Sequence, residues 1–149
     1  VTGVQTCALP IFPCLWFAEG AKEAAEFYCQ IFPNSRIVSS NPMATIFSLN
    51  NHTYMALNGA QKNSFNEGIS FVITCADQNE IDHYWNAFTS EGKEGKCGWC
   101  KDKYGISWQV VPAQLGQWMG NPQTAPKAMY AFMQMKKFDI AVIEKAVLG

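Results

Sequence analysis

Apolar and polar positions alternate most clearly at residues 97–112, CGWCKDKYGISWQVVP. Two short apolar runs, 98–100 and 106–111, flank Lys101, Asp102, Lys103, Tyr104 and Gly105. Those five are the residues of a tight turn, and Gly105 can take the positive φ such a turn needs. Side chains along a strand point to opposite faces in turn. Ile106, Trp108 and Val110 therefore make one apolar face suited to packing under helices, while Ser107, Gln109 and Val111 make the other. The hydroxyl and amide of that second face either meet solvent or find partners inside. A face that mixes apolar and polar groups is also what a small-molecule cavity needs.

The same logic predicts the rest of the chain. Residues 12–17 (FPCLWF) read as a short strand, with Pro near its start, where it is tolerated. Ala21, Ala24, Ala25, Tyr28, Ile31 and Phe32 recur at helical spacing, and Pro33-Asn34 stops that helix. A strand at 36–39 follows. A hairpin formed by 43–49 and 52–57 then turns about Asn50-Asn51. After a polar connector at 58–68 the order begins again. Residues 69–75 are a strand, and Asp77 with Glu80 caps a helix that presents Ile81, Tyr84, Trp85 and Phe88 on one face and ends at Gly92. The 97–112 hairpin follows. Phe27-Tyr28 overlays Tyr84-Trp85, and Glu23 overlays Glu80, so strand, helix and strands repeat internally. Residues 113–149 are predicted helical at 114–119, at 126–137 and after an Asp139 cap. The Met129, Phe132, Met133 and Met135 stripe suits core filling.

Composition narrows the function classes. At 149 residues the chain suits a single domain. Net charge is −1 with no basic cluster, which argues against nucleic acid. No apolar run approaches the ~18 residues of a membrane span. The six cysteines lie in apolar contexts and suit free thiols in a reducing cytosol. Cys97 and Cys100 have CxxC spacing. They are expected in a strand, where positions three apart face opposite sides, and no second CxxC completes a zinc site. Residues 1–11, VTGVQTCALPI, have no starting Met and no Lys or Arg, unlike a secretory signal. They resemble the translation of a sequencing-library adapter and are set aside with Cys7.

Several motifs together resemble one family. They are PCLWF (13–17), EAAEFY (23–28), ALNG (56–59), ISFV (69–72), DHYW (82–85), CGW (97–99), KDKYG (101–105) and SWQVVP (107–112), with Met135 and Asp139-Ile140-Ala141. In these the chain resembles the vicinal oxygen chelate superfamily (glyoxalase, bleomycin-resistance and ring-cleaving dioxygenase proteins). Within it the likeness is to the PhnB-like family, which carries the label 3-demethylubiquinone-9 3-methyltransferase. The resemblance implies an α+β fold. Two βαβββ modules, about 12–59 and 68–112, form a curved mixed sheet around a cleft, and 113–149 is a helical extension, in a cytoplasmic homodimer. The family has a longer Gly-rich connection where this chain keeps only Asn41-Pro42, so a loop is missing or the strand pairing is altered. It also has Leu at the position of Cys100.

Metal-dependent superfamily members place His, Glu or Gln at four cleft-facing strand positions. By the resemblance these fall near Pro13, Met55, Ser70 and Gln109. Pro and Met offer none of the donors such sites use and Ser is a poor ligand, so no metal is expected. His52, at a hairpin turn, and His83, on a helix, are expected at the surface. No G-x-G-x-x-G supports an adenosyl cofactor, and no cofactor is predicted. The expected cleft lining is Leu15, Phe17, Met55, Leu57, Ser70, Val72, Thr74, Ser107 and Gln109, with Tyr54 turned toward the helices. Three readings stay open: a metal-free protein binding a small, partly apolar molecule; an enzyme of the superfamily in which Gln109 and Ser70 orient substrate; and a methyltransferase.

Overall fold

A computed structural model describes residues 10–62 and 65–149. Cys7 and most of the segment set aside above lie outside the described residues. The chain is α+β and divides into two compact units on either side of residues 63–64.

The first unit is built from β1 (Cys14–Trp16), α1 (Ala21–Ile31), β2 (Arg36–Ser40), β3 (Ala44–Leu49) and β4 (His52–Leu57). Its four strands lie in the order β1-β4-β3-β2. β1 runs parallel to β4, and the other pairs are antiparallel. The predicted turn closes β3 and β4, with Asn50 and Asn51 at φ 48° and 68°, the positive values a two-residue hairpin requires. Short apolar residues let α1 lie close to the sheet: Ala21, Ala24, Ala25, Tyr28 and Ile31 are its buried positions. Tyr28 stacks on Phe47 at 6.2 Å, and Phe47 on Tyr54 at 5.5 Å, which identifies the face of β3 and β4 that α1 covers. The short connection does not disturb the pairing. The Asn41 carboxamide oxygen accepts from the Met43 and Ala44 amides at 2.8 and 2.9 Å, turning the chain directly into β3. The only register shift in that pair is a bulge between Ile37 and Ser39.

The second unit repeats the plan with β5 (Ser70–Cys75), α2 (Gln78–Thr89), β6 (Lys93–Glu94), β7 (Trp99–Lys101) and β8 (Ser107–Pro112). The strand order is β5-β8-β7-β6, with β5 parallel to β8. Both modules are thus βαβββ, as the internal repeat implies. Asp77 caps α2 by accepting from the Glu80 amide at 2.9 Å. The short strand β6 had no signal in the sequence; two residues are too few to show a period.

The hairpin between β7 and β8 turns on one buried carboxylate. Asp102 is 3% exposed. Its Oδ1 accepts from the backbone amides of Tyr104 and Ile106 at 2.8 and 3.1 Å, and its Oδ2 from the Trp108 indole Nε1–H at 2.9 Å. Trp108 in turn stacks on Phe88 of α2 at 4.4 Å and leans on Phe71 of β5 at 5.3 Å. The acidic residue of the KDKYG motif therefore links the turn, β8, α2 and β5.

The tail forms α3 (Leu115–Gly120), α4 (Ala125–Phe132) and α5 (Ile140–Leu148). α4 ends earlier than the sequence predicts, because residues 133–138 leave the helix to seat Phe138, 1% exposed, against Gly98. Gly98 has φ 82°, and a Cβ there would run into the Phe138 ring. The Gln78 side chain fastens the segment, donating to the Phe138 carbonyl and accepting from the Ile140 amide, both at 2.9 Å. Cys97 corrects the sequence reading. It lies in a turn at φ 56° rather than in the strand, because its amide and that of Gly98 bond the carbonyls of Met135 and Lys136 instead of a neighbouring strand.

If Asp102 organises the hairpin, Asp102→Ala strands three donors and should cost about 3 kcal/mol or more. Trp108→Phe keeps a ring against Phe88 and should cost less. Urea unfolding followed by near-ultraviolet circular dichroism measures both, and an unchanged midpoint in Asp102→Ala would refute the role.

Candidate functional site

Strand register sorts the nine expected lining residues. In the second sheet Ser70 pairs with Ser107, Val72 with Gln109 and Thr74 with Val111. Across the antiparallel pair Trp99 sits opposite Gln109, and Lys101 opposite Ser107. Directly paired residues share a face, so Ser70, Val72, Thr74, Ser107, Gln109, Trp99 and Lys101 lie together, opposite the face that carries Phe71 and Trp108 under α2. Five of the nine expected residues are brought onto this one face.

The first sheet divides the other four. Cys14 pairs with Met55, Leu15 with Ala56 and Trp16 with Leu57. Ala56 is opposite Thr45, two residues from Phe47, on the face α1 covers. Leu15 thus belongs to the helix-covered core, at 8% exposure, and Phe17, 5% exposed, is buried as well. Met55 and Leu57 lie on the other face with Cys14 and Trp16. The structure thus separates Leu15 and Phe17 from Met55 and Leu57, contrary to expectation: the face of a three-residue strand is set by its pairing partner, and a register one residue away exchanges the faces. Tyr54 is turned toward α1 as expected.

Three polar side chains of the second face are neighbours in the register. The Gln109 amide donates to the Ser70 hydroxyl at 2.9 Å. Ser107, 1% exposed, has no hydrogen-bond partner for its hydroxyl, an arrangement that costs about 1–3 kcal/mol when left unmet. Around them stand Val72, more than half exposed, and half-buried Trp99.

Next to this patch is a cavity of about 280 Å³ lined by Glu67, Lys93, Glu94, Gly95, Trp99, Cys100 and Lys101. Lys101 Nζ contacts Glu67 Oε2 at 3.0 Å, and this hydrogen bond holds the Glu67 carboxyl below its ordinary range. Glu94 is engaged from behind, by Lys136 at 3.4 Å and by the Trp85 indole at 3.4 Å. Trp99, Lys93, Lys101 and Glu67 were not among the expected site residues. Counting the hairpin register outward from the KDKYG turn would have placed Trp99 and Lys101 opposite Gln109 and Ser107.

The four positions at which the resemblance implies metal ligands each carry their own chemistry. Pro13 and Met55 supply neither a carboxylate nor an imidazole, Ser70 offers a hydroxyl, and Gln109 offers its carboxamide oxygen while its Nε2–H donates to Ser70. Among the described residues no three His, Cys, Asp or Glu side chains converge. His52 and His83 are both exposed.

Comparison with known proteins agrees with this geometry. The family model described as 3-demethylubiquinone-9 3-methyltransferase matches residues 10–111. The chain belongs to this PhnB-like family. A PhnB protein from Bacillus cereus is similar at 28% identity and TM-score 0.64, over 69% of this chain and 98% of that one. A protein from Pseudomonas aeruginosa shares the fold at 19% identity and TM-score 0.59, over 70% and 98% of the two chains. A glyoxalase/bleomycin resistance protein from Albidiferax ferrireducens does so at 10% identity and TM-score 0.51, over 68% and 95%. No curated protein matches the chain. The fold is that of the vicinal oxygen chelate superfamily.

The thiols of this PhnB-like chain are poor nucleophiles where they are buried. Burial, with Asp102 nearby, pushes Cys100 up to about 12, and burial with Glu80 and Asp77 does the same for Cys75. Both folded values exceed the ordinary 9.0, so the unfolded chain loses these protons first as pH rises. The stability they contribute is complete below pH 9 and is lost toward about 12. Two outcomes follow. Iodoacetamide at pH 8 should leave Cys75 and Cys100 unlabelled until urea unfolds the protein, as peptide mass spectrometry would record. The urea midpoint should also fall as pH is raised above 9.

Proposed function

We propose that this chain binds a small, partly apolar molecule on the face of the second sheet opposite α2, without a metal ion. The observation that carries the reading is Ser107. A buried hydroxyl with no partner, beside the Ser70–Gln109 pair and flanked by Val72 and Trp99, is a polar anchor set in apolar surroundings. Gln109 and Ser70 orient a ligand oxygen or nitrogen, and the apolar side chains cover its body. The free cysteines support a reducing compartment such as the cytoplasm. No helix among the described residues is long and apolar enough to cross a membrane. Exposed Met129, Tyr130 and Met133 on and beside α4 support a homodimer.

A second reading is favoured by the family description, which names a methyl transfer to an oxygenated ring. Here the same face holds such a ring, and Gln109 and Ser70 position it for reaction. The sequence offers no Gly-rich strand–turn–helix for the adenosyl cofactor, so binding ranks above turnover.

The test uses 2,3-dimethoxy-5-methyl-1,4-benzoquinone, an oxygenated ring of this kind, as a probe in isothermal titration calorimetry. S-adenosylmethionine and divalent metals are tested in parallel by thermal shift. Saturable quinone binding should weaken about tenfold in Gln109→Ala, the loss expected for one hydrogen bond, with the melting temperature little changed. No quinone binding, or equal binding by the variant, would overturn the reading. Saturable S-adenosylmethionine binding would promote the methyltransferase reading. A metal-induced rise in melting temperature that Gln109→Ala abolishes would restore a metal site.

A further inference from the structure

The cavity beside the Ser70–Gln109 patch has a charge arrangement that the strand pairing alone does not favour. Lys93 and Lys101 are direct partners across β6 and β7, and like charges directly opposite one another destabilise a sheet. Lys101 is relieved by Glu67 at 3.0 Å. Lys93 makes no ion pair among the described residues, although Glu94 is its neighbour. Glu94 is held instead by Lys136 and Trp85. Two lysines therefore line one cavity of about 280 Å³ together with Glu67 and Glu94, and among the described residues the only carboxylate paired with either lysine is Glu67, which is exposed and sits before β5. Half-buried Trp99 forms another part of the wall.

We infer that this cavity binds a small organic acid, with Lys101 and Lys93 holding its carboxylate and Trp99 covering its apolar body. Glu67 occupies Lys101 in the free protein and is displaced when the acid enters. The charge is shared rather than buried, because both lysines reach solvent, so binding is salt-sensitive. An ammonium on a flexible stem can leave one carboxylate for another at little cost, since an exposed pair of this kind is worth only about 0–1 kcal/mol. Trp99 is directly opposite Gln109, so an acid seated here extends onto the polar patch. The inference rests on the proposed function only in placing the ligand on this face.

Benzoate serves as the probe and benzyl alcohol as its neutral counterpart, both in isothermal titration calorimetry at low ionic strength. Benzoate should bind more tightly than benzyl alcohol, and its affinity should fall as sodium chloride is added. Lys101→Met should weaken benzoate about tenfold and leave benzyl alcohol unchanged, while Lys101→Arg retains most of the preference. Glu67→Gln should tighten benzoate several-fold by removing the competing carboxylate, an effect a merely structural ion pair would not produce. Equal binding of the two probes, or benzoate affinity weakened by Glu67→Gln, would overturn the inference while leaving the proposed function standing. Failure of benzoate, benzyl alcohol and the quinone alike would overturn both.

Discussion

A carboxylate inside a protein is tolerable only where donors surround it, and Asp102 has three: two amides of its own turn and the indole of Trp108. That requirement fixes the second module. The turn must curl so that the amides at 104 and 106 reach Oδ1, which explains Gly105 at φ 85°. Trp108 must present its N–H inward, which lays its ring flat against Phe88 and brings α2 down on the sheet. Once Trp108 is committed to that side, the two-residue period of β8 commits Ser107 and Gln109 to the other. The geometry of the candidate site therefore follows from a charge on the opposite face of the strand.

This dependence shows what could be read in advance. Local rules were enough for the element order apart from β6, and for the Asn50-Asn51 turn and the helix caps at Asp77 and Asp139, each of which rests on residues within four positions of one another. The alternation in 106–111 was also legible, since six strand residues show a period without help. Leu15 and Phe17 were misplaced because β1 is three residues long and its face is decided by pairing with β4, some forty positions away. Cys97 departs from the strand for a related reason: its amide and that of Gly98 are claimed by the carbonyls of Met135 and Lys136, contacts no local pattern announces. The KDKYG motif was visible as a turn, but not that its Asp is buried. Burial of a charge becomes apparent only when its donors are counted.

The two modules repeat one topology but spend their sheet faces differently. In the first, the face away from α1 carries Cys14, Trp16, Met55 and Leu57, with Thr53, Ser48 and Arg36 toward one end. In the second, the face away from α2 carries three hydroxyls, an amide, an indole and two lysines. The two copies of the topology thus differ in the residues of their uncovered faces, and only the second pairs two lysines directly across adjacent strands.

Two features of that second face cost stability as they stand: the partnerless Ser107 hydroxyl and the opposed Lys93–Lys101 pair. Neither helps the fold. A threonine or valine would suit a strand at 93, where a lysine instead faces another, and an alanine at 107 would leave no orphan hydroxyl. Local rules are broken in natural proteins mainly where function requires it, and here both breaks fall within the same few residues of three adjacent strands. A ligand bearing both a hydrogen-bonding group and a negative charge would satisfy the two at once. This coincidence, more than either feature alone, is why the proposed ligand is placed on the face opposite α2.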